Sequence, residues 1–97
     1  MTAEHYLAFD LGAESGRAML GSLDSGRIQL TELHRFPTRS INCQRHLHWD
    51  VYHLFEQIRL VLENLKQQDF RLNSLGIDTW GVDFGLIDKS GHIVGLP

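Results

Sequence analysis

Apolar residues in the first third of the chain fall into short runs separated by glycines and polar residues. Residues 5–10 and 17–23 are two such runs, and their length and apolar content predict strands. Residues 24–27 (DSGR) have the composition of a tight turn, in which Gly26 can adopt a positive φ. Apolar and polar residues then alternate in a segment that ends near Phe36. The pattern predicts one strand followed by a β-hairpin.

Two stretches after this turn depart from a simple strand pattern. Leu33 falls out of phase with Ile28 and Leu30, which predicts a bulge or a change of buried face within the third strand. Residues 37–48 are polar and have no clear period, so we expect a loop with some extended structure there.

A longer periodic segment follows, and it predicts an amphipathic helix. Asp50 is a good N-cap residue, and apolar residues recur after it at intervals of three and four. These residues are Val51, Leu54, Phe55, Ile58, Leu62 and Leu65. The pattern fades over residues 67–69, where we expect the helix to end.

The last third of the chain again has short, β-compatible runs. The segment SLGIDT follows the helix, and a strand reached through a crossover helix normally pairs in parallel with a strand already formed. Residues 82–87 and 92–94 predict a final hairpin around a turn at residues 89–91. We therefore predict an α/β fold with a mixed sheet: an antiparallel meander, a crossover helix and a parallel strand. This is the topology of the ribonuclease H-like, actin-like ATPase subdomain.

Composition narrows the class of protein further. The 97 residues are 42% hydrophobic and 22% charged, as in an ordinary globular domain, and the net charge of −3 argues against a nucleic-acid partner. Cys43 has no second cysteine with which to form an internal disulfide. We see neither a leader segment nor an apolar run of membrane-spanning length, so we expect no membrane partner and a cytoplasmic location.

The turn between the first two predicted strands carries the clearest candidate chemistry. Gly12 and Gly16 allow a tight bend whose successive N–H groups form a phosphate-sized nest, and Ser15 and Arg17 add donors. Asp10, at the end of the preceding strand, is suited to a hydrated Mg²⁺. The segment lacks the lysine and the following helix of a Walker loop. The predicted phosphate-binding residues are Gly12, Ala13, Glu14, Ser15, Gly16 and Arg17, with Asp10 as the metal ligand.

A second segment, GIDTWGVDF, follows the helix at the end of the strand predicted to lie beside the first. Ligands of α/β sheets collect at the carboxyl ends of such strands, so Trp80 and Gly81 are expected to face the same crevice as the phosphate loop. An indole face beside a glycine that allows close approach suits a sugar ring. We therefore predict Trp80 and Gly81 as substrate-binding residues.

Together these segments resemble the FGGY carbohydrate kinase family. The likeness is carried by DLGAESGR, by Arg35 and Phe36 at the end of the third strand, by Trp49 and Asp50 at the helix start, and by GIDTWGVDFGLID followed by VGLP. It extends along essentially the whole chain, and the GIDTWGVDF string is the most specific part of it.

The resemblance implies transfer of the γ-phosphate of ATP to a ketose in the presence of Mg²⁺. L-rhamnulose, phosphorylated on its 1-hydroxyl in rhamnose catabolism, is the expected substrate, and another ketose such as fuculose is the alternative. The ATP phosphates are implied to lie along residues 13–17, the metal near Asp10 and the ketose at Gly81. Glu14 departs from a simple donor loop, since its side chain supplies no donor and only its backbone N–H can contribute.

The resemblance also implies that residues 1–97 are the N-terminal, incomplete part of the first kinase domain. The family's catalytic aspartate and adenosine pocket are expected beyond residue 97, so we assign no catalytic residue here and expect the chain alone to be inactive. A partial domain exposes unpaired strand edges, which makes self-association an expected consequence.

Other readings of the sequence remain open. Cys43, His46, His48 and Asp50 are close in sequence, but their spacing does not match the usual paired zinc ligands. A ribonuclease H-like nuclease would use Asp10 and Asp78 with a helical carboxylate, Glu56 or Glu63, to hold two metal ions. Its need for a basic nucleic-acid track fits the net charge poorly. A non-catalytic phosphate-binding module is the third alternative.

Overall fold

The structure is a computed structural model that describes residues 3–69 and 71–97. Its elements, in chain order, are β1 (Glu4–Leu11), β2 (Ser15–Asp24), β3 (Arg27–Pro37), β4 (Ser40–Cys43), β5 (His46–Trp49), α1 (Val51–Gln67) and β6 (Ser74–Thr79). Four strands form a mixed sheet in the order β3-β2-β1-β6, while β4 and β5 form a separate hairpin. β1 is antiparallel to β2 and parallel to β6, which confirms the predicted mixed α/β sheet with a helical crossover.

The core lies between this sheet and α1. Every second residue of β1, from Leu7 to Leu11, is buried, as expected for a strand with one covered face. Ala18 of β2 and Phe36 of β3 extend the buried cluster. The helix contributes Leu54, Val61 and Leu65, with Ile58 partly buried against them.

The predicted helix is confirmed, but its buried stripe is narrower than expected. The Asp50 carboxylate accepts a hydrogen bond from the His53 backbone N–H at 3.0 Å, so it is the N-cap. Phe55 and Leu62 are exposed, while Val61 is buried in their place. Successive helical residues lie about 100° apart, so Phe55 and Leu62 fall beside the stripe that contacts the sheet.

The predicted irregularity in the third strand is confirmed as a β-bulge. Ala18 pairs with His34 and Met19 pairs with Glu32, which leaves Leu33 as the extra residue. The next segment is more regular than predicted, since β4 and β5 form a hairpin. Its turn residues, Gln44 and Arg45, both have positive φ without being glycine, so the usual turn signal is missing from the sequence.

The predicted C-terminal hairpin forms only in part. Its turn is present, closed by a 2.8 Å bond from the Asp88 N–H to the His92 carbonyl, but Ile87 and Ile93 make a single bridge and no strand forms. The Asp88 carboxylate accepts from the N–H groups of Ser90 and His92, so side-chain bonds organise this turn. Within the described residues, no helix has both the length and the hydrophobicity needed to cross a bilayer.

Candidate functional site

The two segments predicted to bind ligand meet at one edge of the sheet. β1 and β6 run parallel and end in register, with Leu11 beside Thr79. The turn at residues 12–15 leaves β1 at this edge, and Trp80 and Gly81 leave β6 at the same edge. Ligands of α/β proteins bind at such carboxyl ends, so the topology brings the two predicted segments into neighbouring loops.

The two glycines of the first loop have a different role from the one that the sequence predicted. Neither Gly12 nor Gly16 has a positive φ, so neither supplies left-handed backbone. A Cβ on Gly12 would lie 2.8 Å from the Ser15 carbonyl oxygen, and one on Gly16 would overlap the ring of Phe36. Both positions therefore need glycine because other atoms approach closely. The Gly12 N–H donates to the Ser15 carbonyl at 3.0 Å, so it closes the turn and is not available to an anion.

Thr38, just after β3, holds this turn from one side. Its hydroxyl donates to the Gly12 carbonyl at 2.6 Å and its N–H donates to the Glu14 carbonyl at 3.0 Å. In a trans peptide the N–H points opposite to the carbonyl, so the N–H groups of Ala13 and Ser15 point away from Thr38. The loop can thus offer donors to an anion on its outer side. Sequence reasoning missed Thr38, because it is 26 residues from Gly12 and belongs to no local pattern.

Asp10 and Arg17 face each other across β1 and β2. They are register partners, and the Arg17 Nε lies 3.1 Å from the Asp10 Oδ2. This Nε is buried and makes no well-directed hydrogen bond to residues 3–69 or 71–97, so the contact is an ion pair. The Arg17 side chain is 36% exposed and the Asp10 side chain is 54% exposed. Because the Arg17 Nε is buried, the exposed part of its guanidinium is the terminal nitrogens, which are accessible to an anion.

A magnesium ion fits the donor set at this edge. Asp10 has a second carboxylate oxygen available, and Asp78 is its register partner on β6, on the same face of the sheet. Mg²⁺ commonly uses one or two protein carboxylates and keeps several waters, which matches this pair. The adjacent Arg17 is the one feature that competes for the same carboxylate.

The second loop presents an indole next to open space. Trp80 is half-buried against the core cluster, and its Nε1 donates to the Asp83 Oδ2 at 2.7 Å. A Cβ on Gly81 would meet no atom within 4 Å. Trp49, at the end of β5, packs on Trp80 with ring centroids 4.8 Å apart. The sequence placed Trp49 only at the start of the helix, so its contact with Trp80 was not predicted.

The structure does not support the two alternative metal sites, which are the zinc site near Cys43 and the two-metal nuclease site. Residues 3–69 and 71–97 contain no cluster of three or more His, Cys, Asp or Glu side chains able to hold a metal ion. His46 and His48 lie on β5 with ring centroids 6.4 Å apart, and the exposed Cys43 does not complete a site with them. The three-carboxylate cluster that a two-metal nuclease needs is likewise not assembled among these residues.

Comparison with known proteins shows that rhamnulokinases are among the relatives of this chain. No protein-family model matches the chain. It is 42% identical over 94 residues to a rhamnulokinase of Bacteroides thetaiotaomicron, a match that covers 97% of this chain and 19% of that protein. It is 48% identical over 99 residues to a rhamnulokinase of Klebsiella pneumoniae, with 100% of this chain and 20% of that protein covered. The chain thus spans about a fifth of the length of the curated relatives it matches.

Proposed function

We propose, from the fit of this chain to an N-terminal fragment of a rhamnulokinase, that it is part of a sugar kinase acting in rhamnose metabolism. In this proposal residues 1–97 belong to the first domain of an FGGY kinase with the ribonuclease H-like, actin-like fold. The full protein transfers the γ-phosphate of ATP to L-rhamnulose and uses Mg²⁺. L-rhamnulose is favoured over fuculose because both relatives are rhamnulokinases.

One observation carries the proposal: the loops after β1 and β6 leave the sheet at the same edge, in register. Phosphoryl transfer asks the protein mainly to align two substrates and to stabilise negative charge on the phosphoryl oxygens. One loop offers backbone donors and a cation, and the other offers an indole and an open glycine. Two neighbouring loops with these chemistries suit a phosphate donor and a sugar acceptor.

In the phosphate half, the proposed contacts are the outward N–H groups of Ala13 and Ser15, the Ser15 hydroxyl and the guanidinium of Arg17. Asp10 is the proposed metal ligand, with Asp78 beside it. Mg²⁺, when bound, neutralises charge on the ATP phosphates. Gly12 shapes the turn rather than donating to the nucleotide, since its N–H is already engaged within the turn, and Gly16 leaves the space that the Phe36 ring occupies.

Binding of Mg·ATP tests the phosphate half. In ¹H–¹⁵N spectra of the chain, we expect Mg·ATP to shift the amide signals of Ala13 and Ser15. Arg17→Ala should weaken binding by about 10- to 100-fold, since a hydrogen bond to a charged group contributes about 1.5–3 kcal/mol. Arg27→Ala is the matched control, because Arg27 lies at the β2–β3 turn, where its register partner is Asp24. Equal binding by the two variants would refute this site.

An assay of phosphate transfer tests whether the chain alone lacks the catalytic residue of the proposed kinase. We expect the chain alone to transfer no phosphate to L-rhamnulose, because the catalytic aspartate implied by the family resemblance lies beyond residue 97. A general base must reach the sugar hydroxyl directly or through one water. Formation of L-rhamnulose 1-phosphate by the purified chain would overturn this expectation.

A further inference from the structure

Asp83 joins two tryptophans that come from different parts of the chain. Its Oδ2 accepts the Nε1–H of Trp80 at 2.7 Å and the Nε1–H of Trp49 at 2.9 Å. The two rings lie 4.8 Å apart between centroids and are tilted by 58°. One carboxylate oxygen thus holds an indole that follows β6 and an indole that ends β5, 34 residues before Asp83.

This double hydrogen bond fixes the orientation of both rings. A carboxylate oxygen has two lone-pair directions, and hydrogen bonds to an ionised acceptor are shorter and stronger than those between neutral groups. An indole has a single N–H donor, so each ring is tied by its only polar atom to the same point. Ring contact alone allows several offset and tilted geometries, and the shared acceptor selects one of them.

We infer that Asp83 is a positioning residue, which holds Trp49 and Trp80 as one aromatic wall of the ligand site beside Gly81. The assignment of this wall to a sugar rests on the proposed kinase function. Apolar faces of sugars pack on indole rings, and the open space at Gly81 gives a ligand access to the wall. The Asp83 Oδ1 makes no hydrogen bond to the described residues, so it remains able to accept one from a sugar hydroxyl.

The composition makes this inference directly measurable. Trp49 and Trp80 are the 2 tryptophans of the chain, so its ¹H–¹⁵N spectrum contains two indole N–H signals, both from this wall. In Asp83→Ala we expect both signals to move and both N–H groups to exchange faster with solvent. Asp83→Asn keeps an oxygen that can accept two bonds, so we expect both signals to stay near their wild-type positions.

The control is Asp24→Ala, which removes a carboxylate whose one side-chain hydrogen bond among the described residues comes from Ser25 at the β2–β3 turn, and it should move neither signal. If Asp83→Ala loses its dispersed amide signals, Asp83→Glu replaces it, since the longer side chain displaces the carboxylate while keeping the charge. Indole signals that are unchanged in a folded Asp83→Ala or Asp83→Glu variant would overturn the inference.

A titration of the wild-type chain with L-rhamnulose separates this inference from the proposed function. We expect the sugar to shift both indole signals in the wild type and in Asp83→Asn, and to act more weakly on Asp83→Ala. If the variants behave as expected without sugar but L-rhamnulose moves neither signal, the sugar assignment fails while the positioning role of Asp83 is supported.

Discussion

β1 and β6 are neighbouring parallel strands with similar apolar patterns, yet only β1 lies in the core. Leu7 and Leu75 are register partners on the same face of the sheet, and they are 1% and 48% exposed. Phe9 and Ile77, the next partners on that face, are 1% and 55% exposed. Among the described residues, the buried cluster to which α1 contributes includes Leu7 and Phe9 of β1 but no residue of β6.

The contrast between β1 and β6 shows that the alternation of apolar and polar residues specifies which face of a strand is apolar. It does not specify whether another element covers that face. Coverage depends on where the helix axis crosses the sheet, which is a property of the whole fold. The same contrast holds for the two loops of the candidate site. The β1 loop is held by two bonds from Thr38, whereas Trp80 after β6 is held by Asp83 and its ring contacts.

The largest expected effect comes from truncating one leucine of the register pair. Leu7→Ala should lower the free energy of unfolding by about 2–5 kcal/mol, because it leaves a cavity in a packed core. Leu75→Ala removes the same atoms from a half-exposed site, so it should cost less than about 1 kcal/mol. Urea unfolding followed by the circular dichroism of α1 measures both. Equal costs would mean that β6 is as well covered as β1.

Two glycines allow a second matched test. Gly16→Ala should cost about 1–3 kcal/mol, because the added methyl group would overlap the Phe36 ring and force it to move. Gly76 is a strand glycine of β6, and a Cβ there would meet no atom within 4 Å. Gly76→Ala should therefore be neutral or slightly stabilising. A double variant, Gly16→Ala with Phe36→Leu, should cost less than the sum of the two single changes if contact with the ring is the cause.

The exposed edge of β6 also predicts self-association. An edge strand presents unpaired N–H and C=O groups, and Leu75 and Ile77 add apolar surface. The other edge strand, β3, carries Glu32 and Arg35 and is interrupted by the bulge at Leu33, features that discourage edge pairing. We expect the average mass by light scattering to rise with concentration.

Substituting each edge identifies the strand responsible. Ile77→Lys should shift the protein toward monomer, while Ile28→Lys on β3 should change the association little. Both isoleucines are more than half exposed, at 55% and 59%, so neither change disrupts the core. If Ile28→Lys reduced the association and Ile77→Lys did not, the association would be assigned to β3. A wild-type mass that stays monomeric at high concentration would contradict the prediction of self-association.

Sequence rules correctly predicted the features that depend on residues close together in the chain. The Asp50 cap, the Gly26 turn and the phase slip at Leu33 each act within a few residues, and the structure contains all three. The β4–β5 hairpin was missed because Gln44 and Arg45 adopt positive φ without a glycine, so tertiary context overrides residue preference there.

For the candidate site, the sequence predicted the loops but not their supports. Residues 10–17 and 80–81 stand out by composition, and a crossover helix implies a parallel pairing that brings the loops to one edge. Thr38 and Asp83 support these loops through contacts over 26 and 34 residues, and each looks like an ordinary polar residue in the sequence. Long-range side-chain bonds of this kind follow no periodicity, so pattern reasoning cannot find them.

The smallest expected effect concerns the outer surface of the covered half, where Glu56 and Arg59 pair on α1. Hydrogen bonds from the Arg59 guanidinium lower the pKa of the Glu56 carboxyl below its usual value. A carboxyl whose pKa is lower in the folded chain contributes stability above its unfolded pKa, and this is lost as the pH falls through its folded pKa. Both side chains are about half exposed, at 48% and 50%, so solvent screens the pair and added salt should weaken it.

Glu56→Gln should therefore lower the urea midpoint slightly at neutral pH, and the difference from wild type should disappear in acid, below the folded pKa of Glu56. Adding Arg59→Gln to Glu56→Gln should change the midpoint little further if the pair is what stabilises the helix surface. A difference that persists unchanged into acid would show that Glu56 acts through packing or helix propensity. In that case the buried face of α1 would stabilise the covered half of the sheet, and the ion pair between Glu56 and Arg59 would make no measurable contribution to the free energy of unfolding.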